Sequence, residues 1–162
     1  MKTTLSFTLA ALGVMWLAAT SATAEHIPPI SGAKDVKWGP PPPALPPGAK
    51  MAVLAGDPAS TGLITIRIKM PAGYKVPPHW HPTDEHVTVL TGSLLLGMGD
   101  TLEESQAKTL TSGGYAVAPA NMHHFAMTKT GAVIQITLNG PFGITYVNPA
   151  DDPSKKAAAS KP

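Results

Sequence analysis

The sequence predicts an all-β domain of the sandwich or barrel kind, and three observations carry that expectation. Period-two alternation runs through "LITIRIKM", with Ile64, Ile66, Ile68 and Met70 on one face and Leu63, Thr65, Arg67 and Lys69 on the other, the pattern of a half-buried strand. Further β-rich pieces follow at "EHVTVL", "SLLLGM", "YAVAP", "HHFAMT", "AVIQITL" and "GITYV", punctuated by "TG", "GD", "SGG", "TG" and "NGP" turn signals. No convincing long amphipathic helix interrupts them, and many short strands with regular turns close into a sandwich or barrel.

Residues 1–24 read as an export signal: Lys2 is the only charge, an apolar run extends from Leu5 to Ala19, and the small residues Ala22-Thr23-Ala24 precede Glu25. The run is too short for a comfortable membrane span, so no stable membrane anchor is expected and the mature chain should start at Glu25, in the periplasm or outside the cell. The region before the apolar run lacks an arginine pair, which disfavours the twin-arginine route; the chain would cross unfolded and fold outside the cytoplasm. The absence of cysteine means that an oxidising compartment imposes no disulfide framework and no thiolate ligand is on offer. Removing Lys2 from the twelve basic residues leaves eleven against ten acidic ones, with no basic patch that calls for nucleic acid.

Residues 25–50 form a proline-rich arm, in which "WGPPPPALPPG" (38–48) can be neither helix nor central strand because proline lacks the backbone donor and fixes φ. It is expected to lie on the domain as a polyproline-like segment. Residues 51–149 make a single β-domain, with "TLEESQAKTL" a solvated loop or at most a helical turn. The tail 150–162 is polar and alanine-rich and has little to bury.

The chemistry concentrates in "HWHPTDEH", residues 79–86. On an extended chain His79 and His81 leave the same face, and Glu85 keeps their parity past Pro82, whereas Trp80 and His86 should face the other way. A further ligand must come from elsewhere, and the other dense histidine stretch is "PANMHHFAM" (119–127). There His124 alternates with Met122 and Ala126 while His123 shares a face with Phe125, so one of the two histidines should point inward. Val87, Val89, Met122 and Ala126 are the assignable inward positions, and they predict a mostly apolar pocket. The only arginine, Arg67, sits on the outward face of its strand, so Lys75 or an open metal position would have to hold a carboxylate; the pocket suits a small aromatic or hydrophobic organic molecule, and oxalate-like diacids are less favoured.

"GYKVPPHWHPTDEHVTVLTG", Gly73 to Gly92, resembles the first cupin motif at Gly73, His79, His81, Glu85 and Gly92, and the segment from Gly113 resembles the second, through Gly113, Pro119 and His124. Two positions depart from that second pattern: Asn121 stands where glycine is usual, and Thr128 where the pattern ends in asparagine. Asparagine tolerates a left-handed backbone, so the turn should survive; Thr128 weakens a capping position without touching the ligands. The resemblance implies a cupin-type double-stranded β-helix, or jelly-roll barrel, with one divalent metal held by His79, His81, Glu85 and His124. It also implies a homodimer paired through sheet edges. Three neutral imidazoles and one carboxylate suit Zn, Cu, Mn, Fe or Ni rather than Mg or Ca. An octahedral ion with these four ligands keeps two positions open. Fold and ligands do not choose between a small oxygenase or lyase and a non-catalytic metal- or ligand-binding and sensing module.

Overall fold

The computed structural model describes residues 32–155; the expected export signal, the start of the proline-rich arm and the end of the tail lie outside them. Nine strands form the fold: β1 (Lys50–Ala55), β2 (Gly62–Met70), β3 (Lys75–Trp80), β4 (Glu85–Met98), β5 (Lys108–Thr111), β6 (Tyr115–Ala118), β7 (His124–Met127), β8 (Ala132–Gly140) and β9 (Thr145–Tyr146). They make one curled sheet in the order β1-β2-β8-β4-β7-β3-β9, with β5 and β6 paired to β4. All the pairings are antiparallel. Among the described residues, no helix is long and apolar enough to cross a membrane.

The alternation of "LITIRIKM" is realised as read. Ile64, Ile66, Ile68 and Met70 are buried, and β8 answers them across the pair with Leu138, Ile136, Ile134 and Ala132. The opposite face carries polar cross-strand pairs, Thr65 with Thr137 and the Arg67 Nε donating to Gln135 Oε1 at 3.1 Å, so Arg67 does point away from the lumen. Pairs of this kind are the unit of sheet stabilisation.

Two expectations need correcting. "EHVTVL" and "SLLLGM" are not separate strands divided by a "TG" turn, because β4 runs through both. Its first part pairs with β6 and β8, its second with β5 and β7, and the register shifts between Val89 and Thr91. A bulge at that shift lets the strand bend from one half of the sheet into the other. Gly92 sits at the bend with φ +76°, a conformation that a residue with a Cβ adopts only with strain. "TLEESQAKTL" contains one 3₁₀ turn, Glu104–Gln106, before β5. It is a mostly exposed loop as expected, anchored by Leu102 and Ala107, which pack against Leu95, Phe125 and Met127 on the outer face of the sheet, and by the pairing of Lys129 with Glu104.

The proline-rich arm is also more than a surface layer. Leu45 and Ala49 are buried members of the main core, and Gly39 bridges to Met51 beside β1. Two tyrosines hold it: the Tyr146 hydroxyl donates to Ala44 O at 2.7 Å and the Tyr74 hydroxyl to Pro46 O at 2.6 Å. Burial raises the Tyr74 phenol from 10.0 to about 12. Tyr146 is raised as well, by burial first and then by Tyr74 and the carboxylates of Asp152 and Asp151. Because the folded pKa values lie above the unfolded ones, this contribution is fully present below pH 10 and is lost as the pH rises through about 12 for Tyr74. Each Tyr→Phe change is expected to cost about 1 kcal/mol in urea denaturation at neutral pH. The double variant should have a flatter alkaline stability profile; an unchanged profile would show that the hydroxyls do not hold the arm.

Candidate metal centre

His79 lies near the end of β3 and His124 opens β7, and these two residues are direct partners across that antiparallel pair. Cross-strand partners project on the same side of a sheet, so both rings enter the lumen. His81 follows β3 by one residue and Glu85 begins β4. The chain between them is tied to the loop before β7, with Ala120 N donating to Asp84 Oδ1 at 2.7 Å and Asn121 N to His81 O at 2.8 Å. Asn121 has φ +61°, the left-handed turn expected of it. Thr128 is buried, and its Oγ1 accepts from Gly131 N at 3.1 Å, so a hydroxyl caps the following turn where the pattern has asparagine.

His79, His81 and His124 come together as a buried group, each offering one ligand atom, with these atoms all within 4.8 Å of one another. Glu85, also buried, stands beside them, its Oε1 3.6 Å from His81 Nε2 and its Oε2 3.5 Å from His124 Nε2. The Nδ1 atoms are all committed to backbone carbonyls: His79 to Pro77 O at 2.8 Å, His81 to Gly143 O at 2.6 Å and His124 to Met122 O at 3.0 Å. A carbonyl only accepts, so Nδ1 is protonated in each ring and Nε2 is the nitrogen left for a ligand. His81 Nε2 and His124 Nε2 are buried without a hydrogen-bond partner. Orphaned buried acceptors are costly, and a divalent cation is what this donor set fits: tautomers fixed from behind and bare lone pairs in front. The three histidines can bind a metal.

The electrostatics follow from the packing. Burial, then the neighbouring His124 and His81, lowers the His79 pKa from 6.5 to about 3, so this ring stays neutral. Burial alone would raise Glu85, yet His124 and His81 outweigh it and bring the carboxyl down to about 2. His124 is held above its ordinary value because the Glu85 carboxylate overcomes the opposing effect of burial.

The lumen next to this cluster is apolar, walled by side chains such as Ile68, Val87, Leu96, Ala126, Ile134 and Ile144, with about 40 Å³ of free space. Phe142 stacks on His81 with ring centroids 5.8 Å apart. The inward assignment of Val87 and Ala126 holds, and Val89 is fully buried in the core. Met122 does not face inward: it is 45 % exposed, because it belongs to the turn before β7, where strand parity does not extend. His86 lies outside, bonded to Tyr115, and His123 is bonded to Asp100 Oδ1 at 2.6 Å. Trp80 is half-buried. Sequence reasoning missed Gly143, Phe142 and Leu45 as parts of the site. Only the apolar character of "PFGI" (141–144) hinted at it, since the carbonyl that orients His81 leaves no trace in composition.

The family described as a domain of unknown function, DUF4437, matches residues 21–145. Germin-like protein 3-1 of Oryza sativa subsp. japonica is 36% identical over 80 residues, which are 49% of this chain and 36% of the rice protein; the match spans little more than a third of that relative. Among solved structures, the polyketide cyclase RemF of Streptomyces resistomycificus superposes with a TM-score of 0.62 at 17% identity, over 77% of this chain and 89% of that one. A Methylibium petroleiphilum PM1 protein proposed to be an acetylacetone dioxygenase gives 0.59 at 19% identity, over 90% of this chain and 100% of its own. An RmlC-like cupin from Shewanella frigidimarina NCIMB 400 gives 0.52 at 19% identity, over 67% and 87%. At these identities the likeness shows the fold alone. A curled antiparallel sheet, two histidine motifs meeting in its lumen and the family match agree, and the chain belongs to the DUF4437 family and to the cupin superfamily.

Proposed function

We propose that this chain is an exported, metal-dependent cupin enzyme, a small oxygenase or lyase, holding one divalent transition metal through His79, His81, Glu85 and His124. The observation that carries the reading is that each Nδ1 is bound to a carbonyl, which leaves Nε2 for a ligand, and that the Nε2 atoms of His81 and His124 are buried with no hydrogen-bond partner. When bound, the ion supplies an open, Lewis-acidic position at which a small molecule or dioxygen is polarised. The protein's own contributions are orientation and exclusion of water. Pro77 O, Gly143 O and Met122 O fix the three rings, Glu85 supplies a full negative charge, and the aliphatic wall keeps the chamber dry.

The substrate class follows from the wall. Among the described residues no lysine or arginine lines the lumen, so a carboxylate would be buried there without a counter-charge other than the metal, which is costly. A small neutral molecule is favoured. The match to a germin-like protein and the likeness to cyclase and dioxygenase structures are compatible with a metal-dependent reaction but do not choose its substrate.

One observation favours a second reading, a binding or sensing module. Among the described residues, the only ionisable group in the lumen wall apart from the four cluster residues is Tyr74, whose hydroxyl is already committed to Pro46 O, so none of them stands by as a free general acid or base. The experiment offers neutral small molecules, with and without dioxygen, to metal-loaded protein and follows product by mass spectrometry. The enzyme reading expects turnover that vanishes in His81→Ala; saturable binding with no product would replace it with the module. Export through an unfolded state also makes a prediction about the metal. Material isolated from its own compartment is expected to contain Zn or Cu, the stronger binders in the intrinsic affinity order, and elemental analysis finding only Mn or Fe would refute this loading route.

A further inference from the structure

The lumen is closed on one side by the arm rather than by the sheet. Leu45, 6 % exposed, lines the lumen and also an outer groove formed with Pro41, Pro42, Pro43 and Pro47. It is the one residue among the described ones that lines both spaces. The backbone on either side is pinned, Ala44 O by the Tyr146 hydroxyl and Pro46 O by the Tyr74 hydroxyl. Pro46 further restricts Leu45 to an extended conformation, so the side chain is aimed by its own backbone. With it in place, about 40 Å³ remains. That is room for two or three waters, whereas an apolar cavity that accepts benzene measures roughly 150 Å³.

We propose that Leu45 is the specificity-determining stopper of the lumen, limiting the substrate to a neutral molecule of only a few non-hydrogen atoms. This rests on the reading of the lumen as the substrate chamber. The other apolar walls, such as Ile68 and Ile134, stand on paired strands of the barrel, where a change of size would disturb the core itself. Leu45 instead hangs on an irregular arm, so a change in its size removes packing from the core but leaves the strand pairing in place.

The test uses the metal-free full chain and benzene as the probe, following the methyl resonances of Ile68 and Ile134. Leu45→Ala is expected to bind benzene at least about tenfold more tightly than the parent, with shifts at both lumen methyls. Leu138→Ala, a core truncation outside the lumen wall, should leave those methyls unshifted. If Leu45→Ala does not fold, Leu45→Val opens a smaller gap and should bind with intermediate affinity. Equal affinity for parent and variant, no binding by a folded Leu45 variant, or the same gain from Leu138→Ala would overturn the proposal. Failure of the metal-enzyme reading registers separately, as absent metal uptake or turnover, since no metal enters this titration.

Discussion

Replacing His124 by alanine is expected to weaken binding of a divalent transition metal by more than about 100-fold, since even partners that merely orient a ligand contribute 10–100-fold. In the metal-free protein His124 Nε2 is buried with no hydrogen-bond partner within reach, and the Glu85 carboxylate beside it, at 3.5 Å, offers a weaker interaction than a metal bond would supply. The stabilisation conferred by metal should therefore separate parent from variant more sharply than the metal-free stabilities do. At a free metal concentration of about 100 times the dissociation constant the parent gains about 2.7 kcal/mol, and His124→Ala at the same concentration gains almost nothing. Calorimetric titration together with elemental analysis reads both effects. His86→Ala is the control, because that ring is exposed and bonded to Tyr115 outside the lumen. Full metal stoichiometry and affinity in His124→Ala would remove it from the ligand set.

The second large effect is on folding. Gly92 has φ +76°, and a Cβ placed on it would lie 2.1 Å from Gly131 O and 3.0 Å from the Ala132 Cα. Both neighbours are backbone atoms of the adjoining turn and strand, so no rotamer change relieves the overlap. Gly92→Ala is expected to cost about 3–5 kcal/mol, the left-handed conformation accounting for roughly 1–2 of it and displacement of β8 for the rest. Gly73 separates the two contributions. It has the same φ of +76° with nothing within 4 Å of the added carbon, so Gly73→Ala should lose only the conformational share, about 1–2 kcal/mol. Urea denaturation of the two variants side by side decides the matter. Equal losses would mean that the close approach at the bend of β4 does not matter.

Much of this was legible from local pattern. The alternation of β2 put Ile64 to Met70 in the core, and the parity of His79, His81 and Glu85 put all three in the lumen, because both follow from the two-residue repeat of an extended chain. Asn121 announced its left-handed turn by residue type. What local pattern could not supply depends on contacts distant in sequence. The choice between His123 and His124 follows from the pairing of His79 with His124 across β3 and β7; parity alone left both open. Met122 was misplaced because alternation was carried one step too far, into the turn that Asn121 creates. The continuity of β4 was hidden by "TG", which reads as a turn but serves as a bend within a strand. Leu45 was invisible as a wall residue, since nothing in a proline run says which side chain enters a core formed by strands far along the chain.

That long strand has a consequence in time as well as in space. Four strands, β5, β6, β7 and β8, dock on β4, and every one of them follows it in the chain. The central strand of the barrel therefore cannot complete its hydrogen bonding until the polypeptide has been traversed almost to β9. Each docking event must first close a loop before any contact rewards it, which places such a topology among the slow folders, in the millisecond-to-second range. The halves of the sheet share this strand, so neither can mature alone. The histidine cluster, drawn from β3, β7 and the start of β4, is accordingly assembled late, as a product of the completed barrel rather than a seed for it.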